Sequence, residues 1–169
     1  NSAKTTYQRF FHTGYFVLGE FRSTDTSNTD KGPGFAVFQP GVKWTLSNQA
    51  TATIALAYYL SNHIEGSILA NSAGTNTGAS TGLTANYLPL VLSAQLNLSH
   101  TLGVDLVRPF VEVVTNTAIS NNQNGYIAGL KFGHKNTKGH GKWQLKASHR
   151  YLESDAWLDT MPDSDAYGG

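Results

Sequence analysis

Apolar and polar residues alternate with a period of two through most of this chain, and no sustained 3.6-residue period competes with it. That pattern fits half-buried β-strands and leaves little room for amphipathic helices. The spacing predicts seven strands: about Thr6 to Arg22, either continuous or broken at Gly14, Phe35 to Leu46, Thr51 to Leu60, Tyr87 to Ser99, Val104 to Thr115, Gly125 to His134 and Lys142 to Leu152. The third is representative: Ala52, Ile54, Leu56, Tyr58 and Leu60 fall on one face, and Thr51, Thr53, Ala55, Ala57 and Tyr59 on the other. The register around Arg108 to Val114 is the least constrained, because Val114 and Phe110 make both faces partly apolar. The fold class expected is all-β.

The connections add the architecture. They are long at Ser23 to Gly34 and Ser61 to Asn86 and short at Ser47 to Ala50 and His100 to Gly103. A medium connection at Asn116 to Asn124 is then expected to precede a shorter one at Lys135 to Gly141, with a long segment after Glu153. Strands of about ten residues with long loops on one rim and tight turns on the other are the layout of an antiparallel transmembrane β-barrel.

Composition narrows the function classes. Of 169 residues only 14% are charged, the net charge is +1 and there is no cysteine. Soluble surfaces usually carry more charge. A balanced charge offers no clustered cations for nucleic acid. The lack of cysteine excludes disulfide scaffolds, thiolate catalysis and Cys-based zinc sites. No run approaches the roughly 20 apolar residues of a membrane helix, and residues 1–8 lack the features of a signal peptide.

If the apolar face meets lipid, Tyr15, Phe21, Phe35, Trp44, Tyr58, Tyr87, Tyr126, Phe132, Trp143 and Tyr151 are candidates for two interfacial girdles. The opposite face carries Glu20, Arg22, Lys43, Arg108, Glu112, Lys131, Lys146 and Arg150 among Gly, Ala, Ser, Thr and Gln. Six cations against two anions suit a wet lumen with a mild anion preference better than a dry core, where an unpaired ion costs several kcal/mol. These eight are the expected pore-lining residues.

The run from Asn124 to Gly133, Gly141-Lys142-Trp143-Gln144, Arg150 to Asp159 and Asp163-Ser164-Asp165 resemble the closing segment of the bacterial outer-membrane "putative porin" family. The resemblance extends upstream through Arg108-Pro109-Phe110-Val111, Thr115-Asn116, Asn76-Thr77 and Ala57-Tyr58-Tyr59. It implies a Gram-negative outer-membrane barrel conducting small hydrophilic solutes or ions passively. The partners would be the lipid bilayer, those solutes and further copies of the chain. Family members resemble larger barrels, and seven strands is an odd number for a bacterial barrel. The chain is therefore expected to be one β-barrel domain over 1–169, an excerpt lacking upstream strands and the closing one.

Other chemistry is thinly represented. Asp159, Asp163 and Asp165, with Asp155 nearby, form an acidic loop that could hold Ca²⁺, although the spacing is not that of an EF-hand and a solvated loop is expected instead. His134 and His140 flank one turn without a metal-ligand spacing. Gly133 with Lys138-Gly139 has the wrong spacing for a phosphate loop. Ser148 and His149 should point to opposite faces of one strand, out of reach as nucleophile and base. No enzymatic activity and no cofactor or metal are expected. The low-complexity run Asn71 to Thr84 is expected to be a floppy external loop. A soluble lipocalin- or lectin-like barrel or sandwich binding a small ligand shares the same periodicity with inside and outside exchanged.

Overall fold

The computed structural model describes residues 6–19 and 32–161. Seven strands form one sheet in sequential order, every neighbouring pair antiparallel: β1 (Thr6–Val17), β2 (Gly34–Ser47), β3 (Ala50–Asn62), β4 (Pro89–Thr101), β5 (Val104–Asn116), β6 (Asn124–Gly133) and β7 (Gln144–Leu152). No helix occurs among the described residues. The sheet is open, with β1 and β7 at its two edges. Thus the all-β antiparallel meander is observed, whereas closure into a barrel is not.

The registers place the expected faces. His12 opposes Gln39, Ala55 opposes Ser93, Glu112 opposes Ile127 and Ile127 opposes Arg150, so the polar positions of adjacent strands share one side. That side is concave: one cavity of about 530 Å³ is bordered by Phe10 and His12 of β1 and by Lys146 and Arg150 of β7. The convex side carries Tyr7, Ile54, Leu56, Leu92, Val111, Leu130 and Leu145, all exposed.

Two prolines mark irregular places in the ladder. A proline has no N–H to give to a neighbouring strand. Pairing of β2 with β3 lapses between Phe38 and Gly41, around Pro40, and that of β4 with β5 lapses between Phe110 and Val107, around Pro109. The register on either side of Pro109 is unchanged, which settles the least constrained strand as the alternation reads it.

Turn chemistry follows side-chain constraints. At the β4–β5 hairpin both Leu102 (φ 55°) and Gly103 (φ 76°) lie in the left-handed region, as a tight primed hairpin turn requires. The connection 134–143 is longer than 117–123, which reverses the expected order. Gly133, Gly139 and Gly141 all have positive φ, and Trp143 O still accepts from His134 N–H at 2.8 Å while regular pairing begins only at Gln144.

The only hydrophobic cluster described is not between sheets but under two loops. Phe35, Ile64, Leu69, Leu83, Tyr87 and Leu158 are buried together, with Leu18, Tyr59 and Met161 packed against them. Residues 63–88 and 153–161 thus form a cap at the long-loop end of the polar wall.

Candidate functional site: the polar wall and its cap

Three successive cross-strand rows make up the polar wall. The first contains Arg108, Lys131 and Lys146, directly opposite one another on β5, β6 and β7. The second runs from Lys43 through Thr53 and Gln95 to Phe110, Gly129 and Ser148. The third runs from Gly41 through Ala55 and Ser93 to Glu112, Ile127 and Arg150. The six described residues expected to line a pore, Lys43, Arg108, Glu112, Lys131, Lys146 and Arg150, therefore share one face. Glu20 and Arg22 lie outside the described residues.

Local packing explains how the wall is furnished. Across the strand pair, the Asn97 side-chain oxygen accepts from Arg108 Nε while its Nδ2 donates to Thr51 Oγ1 at 3.3 Å, which holds that guanidinium against the wall. Two phenyl rings lie over glycines of the next strand. A Cβ on Gly129 would come within 2.7 Å of Phe110 Cζ and 2.5 Å of Ala147 O, and one on Gly41 would come within 2.5 Å of Phe10 Cε2. Lys146 Nζ sits 5.6 Å from the Phe110 ring centroid, within cation–π range.

The cap is held by two buried asparagines and two aspartates. Asn76 donates from Nδ2 to Trp157 O at 2.9 Å and to Ser154 O, and its Oδ1 accepts from Asp159 N–H at 2.9 Å. Asn116, fully buried, donates to Asp155 O at 2.9 Å and accepts from Leu88 N–H at 3.0 Å and Ala118 N–H at 3.1 Å. Asp155 accepts from Thr77 N–H (2.8 Å), Thr77 Oγ1–H (2.6 Å) and the Tyr87 hydroxyl (2.9 Å). Asp159 Oδ2 accepts from Ser72 Oγ–H (2.8 Å) and Thr75 N–H (3.0 Å). Burial, reinforced by the Asp155 carboxylate and by the charge of Asp159, pushes the Tyr87 hydroxyl above its ordinary value of 10.0.

Three expectations change here. The run Asn71 to Thr84 is not a floppy external loop: Asn76, Ala79 and Leu83 are buried in it, and Gly82 N–H donates to Gly78 O at 2.8 Å. The acidic segment is not simply solvated, because Asp155 and Asp159 act as hydrogen-bond acceptors that join the two loops. Asp163 and Asp165 lie outside the described residues, and the described residues contain no group of three His, Cys, Asp or Glu suited to a metal. Finally, Phe35 and Tyr87 belong to the buried cap rather than to an exposed girdle. Phe35 sits on the polar face by the same alternation that puts Phe38 on the apolar one, and it stacks on Trp157 at 6.3 Å with an interplanar angle of 19°. Tyr59 meets the same indole edge-on at 4.8 Å.

The other proposed aromatics segregate on the convex face. Trp44, Phe132 and Trp143 lie toward the rim of the 48–49, 102–103 and 134–143 connections, and Tyr15, Tyr58, Tyr126 and Tyr151 toward the opposite rim. Phe21 lies outside the described residues. Tyr126 and Phe132, six positions apart on β6, are separated by about 20 Å at about 3.3 Å per residue. His149 packs beside Tyr126 (5.8 Å) on this convex face, whereas Ser148 is on the polar wall.

Periodicity gives no sign of the asparagines of the cap, since loop staples have no period. The signal was nonetheless present: Asn76-Thr77 and Thr115-Asn116 are among the strings that carry the family resemblance.

Fold and wall together define a class: an all-β antiparallel meander with an exposed, mainly apolar convex face and a concave face that carries most of the charged side chains of its strands. The profile of the family described as "Putative porin" matches residues 75–169, from the middle of the first capping loop through β4 to β7 and on past the second capping loop. More than half of the chain is covered, and the chain belongs to this family, which gives it a porin-like role. No curated protein and no solved structure matches it.

Proposed function

We propose that this chain is part of an outer-membrane porin of a Gram-negative bacterium, a β-barrel that lets small hydrophilic solutes and ions diffuse passively through a water-filled lumen. The observation that carries this reading is the exposure of the apolar face: Tyr7, Leu56, Leu92, Val111, Leu130 and Leu145 all stand on the convex side, while Lys43, Arg108, Glu112, Lys131, Lys146 and Arg150 stand on the concave one and Arg9 packs over the Tyr7 ring on the convex side. An isolated soluble barrel would do the reverse, burying its apolar side chains inside. The aliphatic band between two aromatic groups matches the apolar belt of about 25 Å and its flanking girdles. Family membership supports the same location.

In this reading Lys43, Arg108, Glu112, Lys131, Lys146 and Arg150 line the lumen and bias it toward anions, since among the described wall residues five cations face one carboxylate. Transport needs no bond chemistry, cofactor or metal. The cap, with Trp157, Tyr59 and Phe35 at its inner surface, narrows the long-loop end of the path. The partners are the bilayer and the permeating solutes.

The test is conductance of the full-length protein in a planar bilayer, with reversal potentials under a salt gradient. Ohmic steps with anion preference are expected, and Lys131→Glu should shift the reversal potential toward cations. A variant with the anion-to-cation ratio of the parent would refute the assignment of Lys131 to the lumen wall.

A further inference from the structure

We propose that Arg108, Lys131 and Lys146 form a binding site for a compact dianionic oxyanion, of the chemistry shared by phosphate, sulfate and small dicarboxylates. The inference rests on the channel reading for its role, as a way station on the permeation path.

The registers make the three cations immediate cross-strand neighbours: Arg108 opposes Lys131, and Lys131 opposes Lys146. Like charges directly opposite one another on a sheet repel, and adjacent strands are only about 4.8 Å apart. Such a row is unfavourable unless something negative lies over it. Glu112, the carboxylate of this wall among the described residues, lies four residues along β5 from Arg108, about 13 Å at the rise of a strand. It faces Arg150 across Ile127 instead.

The surroundings are suited to an anion rather than to bulk solvent alone. The row borders the 530 Å³ cavity, with Gln95 and Phe110 beside it. Arg108 is pinned through Nε by Asn97, which leaves its terminal N–H groups to donate elsewhere. Lys146 is kept over the Phe110 ring, which itself can lie flat only because residue 129 has no side chain. Planar guanidinium donors and two ammonium groups fit oxygen acceptors at several points. A halide would engage this row at one point and leave two charges facing each other. A dianion with oxygens on several sides bridges neighbouring members and removes most of the repulsion.

The test uses the full-length protein folded in detergent and, in parallel, in bilayers. Binding of radiolabelled inorganic phosphate is measured by equilibrium dialysis for the parent, Lys131→Gln, Lys146→Gln and Lys43→Gln, with tryptophan fluorescence reporting folding. Saturable binding is expected, displaced by sulfate and succinate at concentrations at which chloride has no effect. Lys131→Gln and Lys146→Gln should each weaken it at least tenfold, and Lys43→Gln, which removes the same charge from another part of the wall, less than twofold. Binding that does not saturate, or that Lys43→Gln weakens as much as Lys131→Gln, overturns the site. Current measurements separate the two ideas: conductance without saturable phosphate binding keeps the channel and removes the site, and saturable binding by a folded protein that never conducts keeps the site and removes the channel.

Discussion

Asn116 and Asn76 show how much of the cap depends on single side chains. Each amide is buried and uses both its donor and its acceptor to bind backbone groups of a different loop. Replacing Asn116 with Ala would leave the Leu88 N–H and the Asp155 carbonyl without these partners. A buried unpaired polar group costs about 1–3 kcal/mol, so Asn116→Ala should lower stability by about 2–3 kcal/mol in urea unfolding of the full-length protein. Tyr87 adds a pH dependence. Its hydroxyl is held above the ordinary value of 10.0 in the folded chain, so folding favours the protonated form. The contribution is therefore complete below about pH 10 and declines as pH rises further. Stability measured between pH 9 and 11 should fall more steeply in the parent than in Tyr87→Phe, which has no proton to lose. Equal slopes would mean that this hydroxyl titrates alike in folded and unfolded chains.

Among the elements, the strands were legible and the loops were not. Period-two alternation fixes which side of a strand each residue takes, and a shift by one position would exchange every side chain of a face. Hence even β5, interrupted by Pro109, keeps the expected sides for Arg108 and Glu112. The cap lacked such a signal, because its order comes from amide staples and a few apolar residues scattered over 63–88 and 153–161. For the same reason Asp155 and Asp159 read as solvated acids although each accepts hydrogen bonds from the facing loop. Phe35 shows that aromatic character alone does not mark a girdle residue, since its position in the alternation puts it on the polar face under the cap. Two substitutions test the strand interior. Gly129→Ala brings a methyl group against Phe110 and Ala147 O and should cost about 1–3 kcal/mol, the usual range for overpacking. Lys131→Gln removes repulsion from both neighbours in its row and should raise stability by about 0.2–1 kcal/mol in low-salt, anion-free buffer. Thermal unfolding of the two variants beside the parent checks both signs.

For the whole molecule, the central claim is that the inside and outside of the sheet are those of a membrane barrel. An arginine in the middle of the convex face should then be punished according to depth: Leu92→Arg should cost about 2–4 kcal/mol of folding free energy in bilayers. Ser93→Arg, one residue along and on the polar wall, should be tolerated. The 169 residues contain no cysteine, so in a full-length protein with any cysteine elsewhere replaced by serine a more direct measurement is simple. Single cysteines at Leu92, Ser93, Ala94 and Gln95 would be introduced into the full-length protein, reconstituted in lipid vesicles and exposed to a membrane-impermeant maleimide. Rapid labelling at 93 and 95 with protection at 92 and 94 is the predicted result, since alternate residues would face water and hydrocarbon. Labelling at 92 and 94 with protection at 93 and 95 would contradict it, exchanging lumen and exterior and making a ligand-binding soluble barrel the better account.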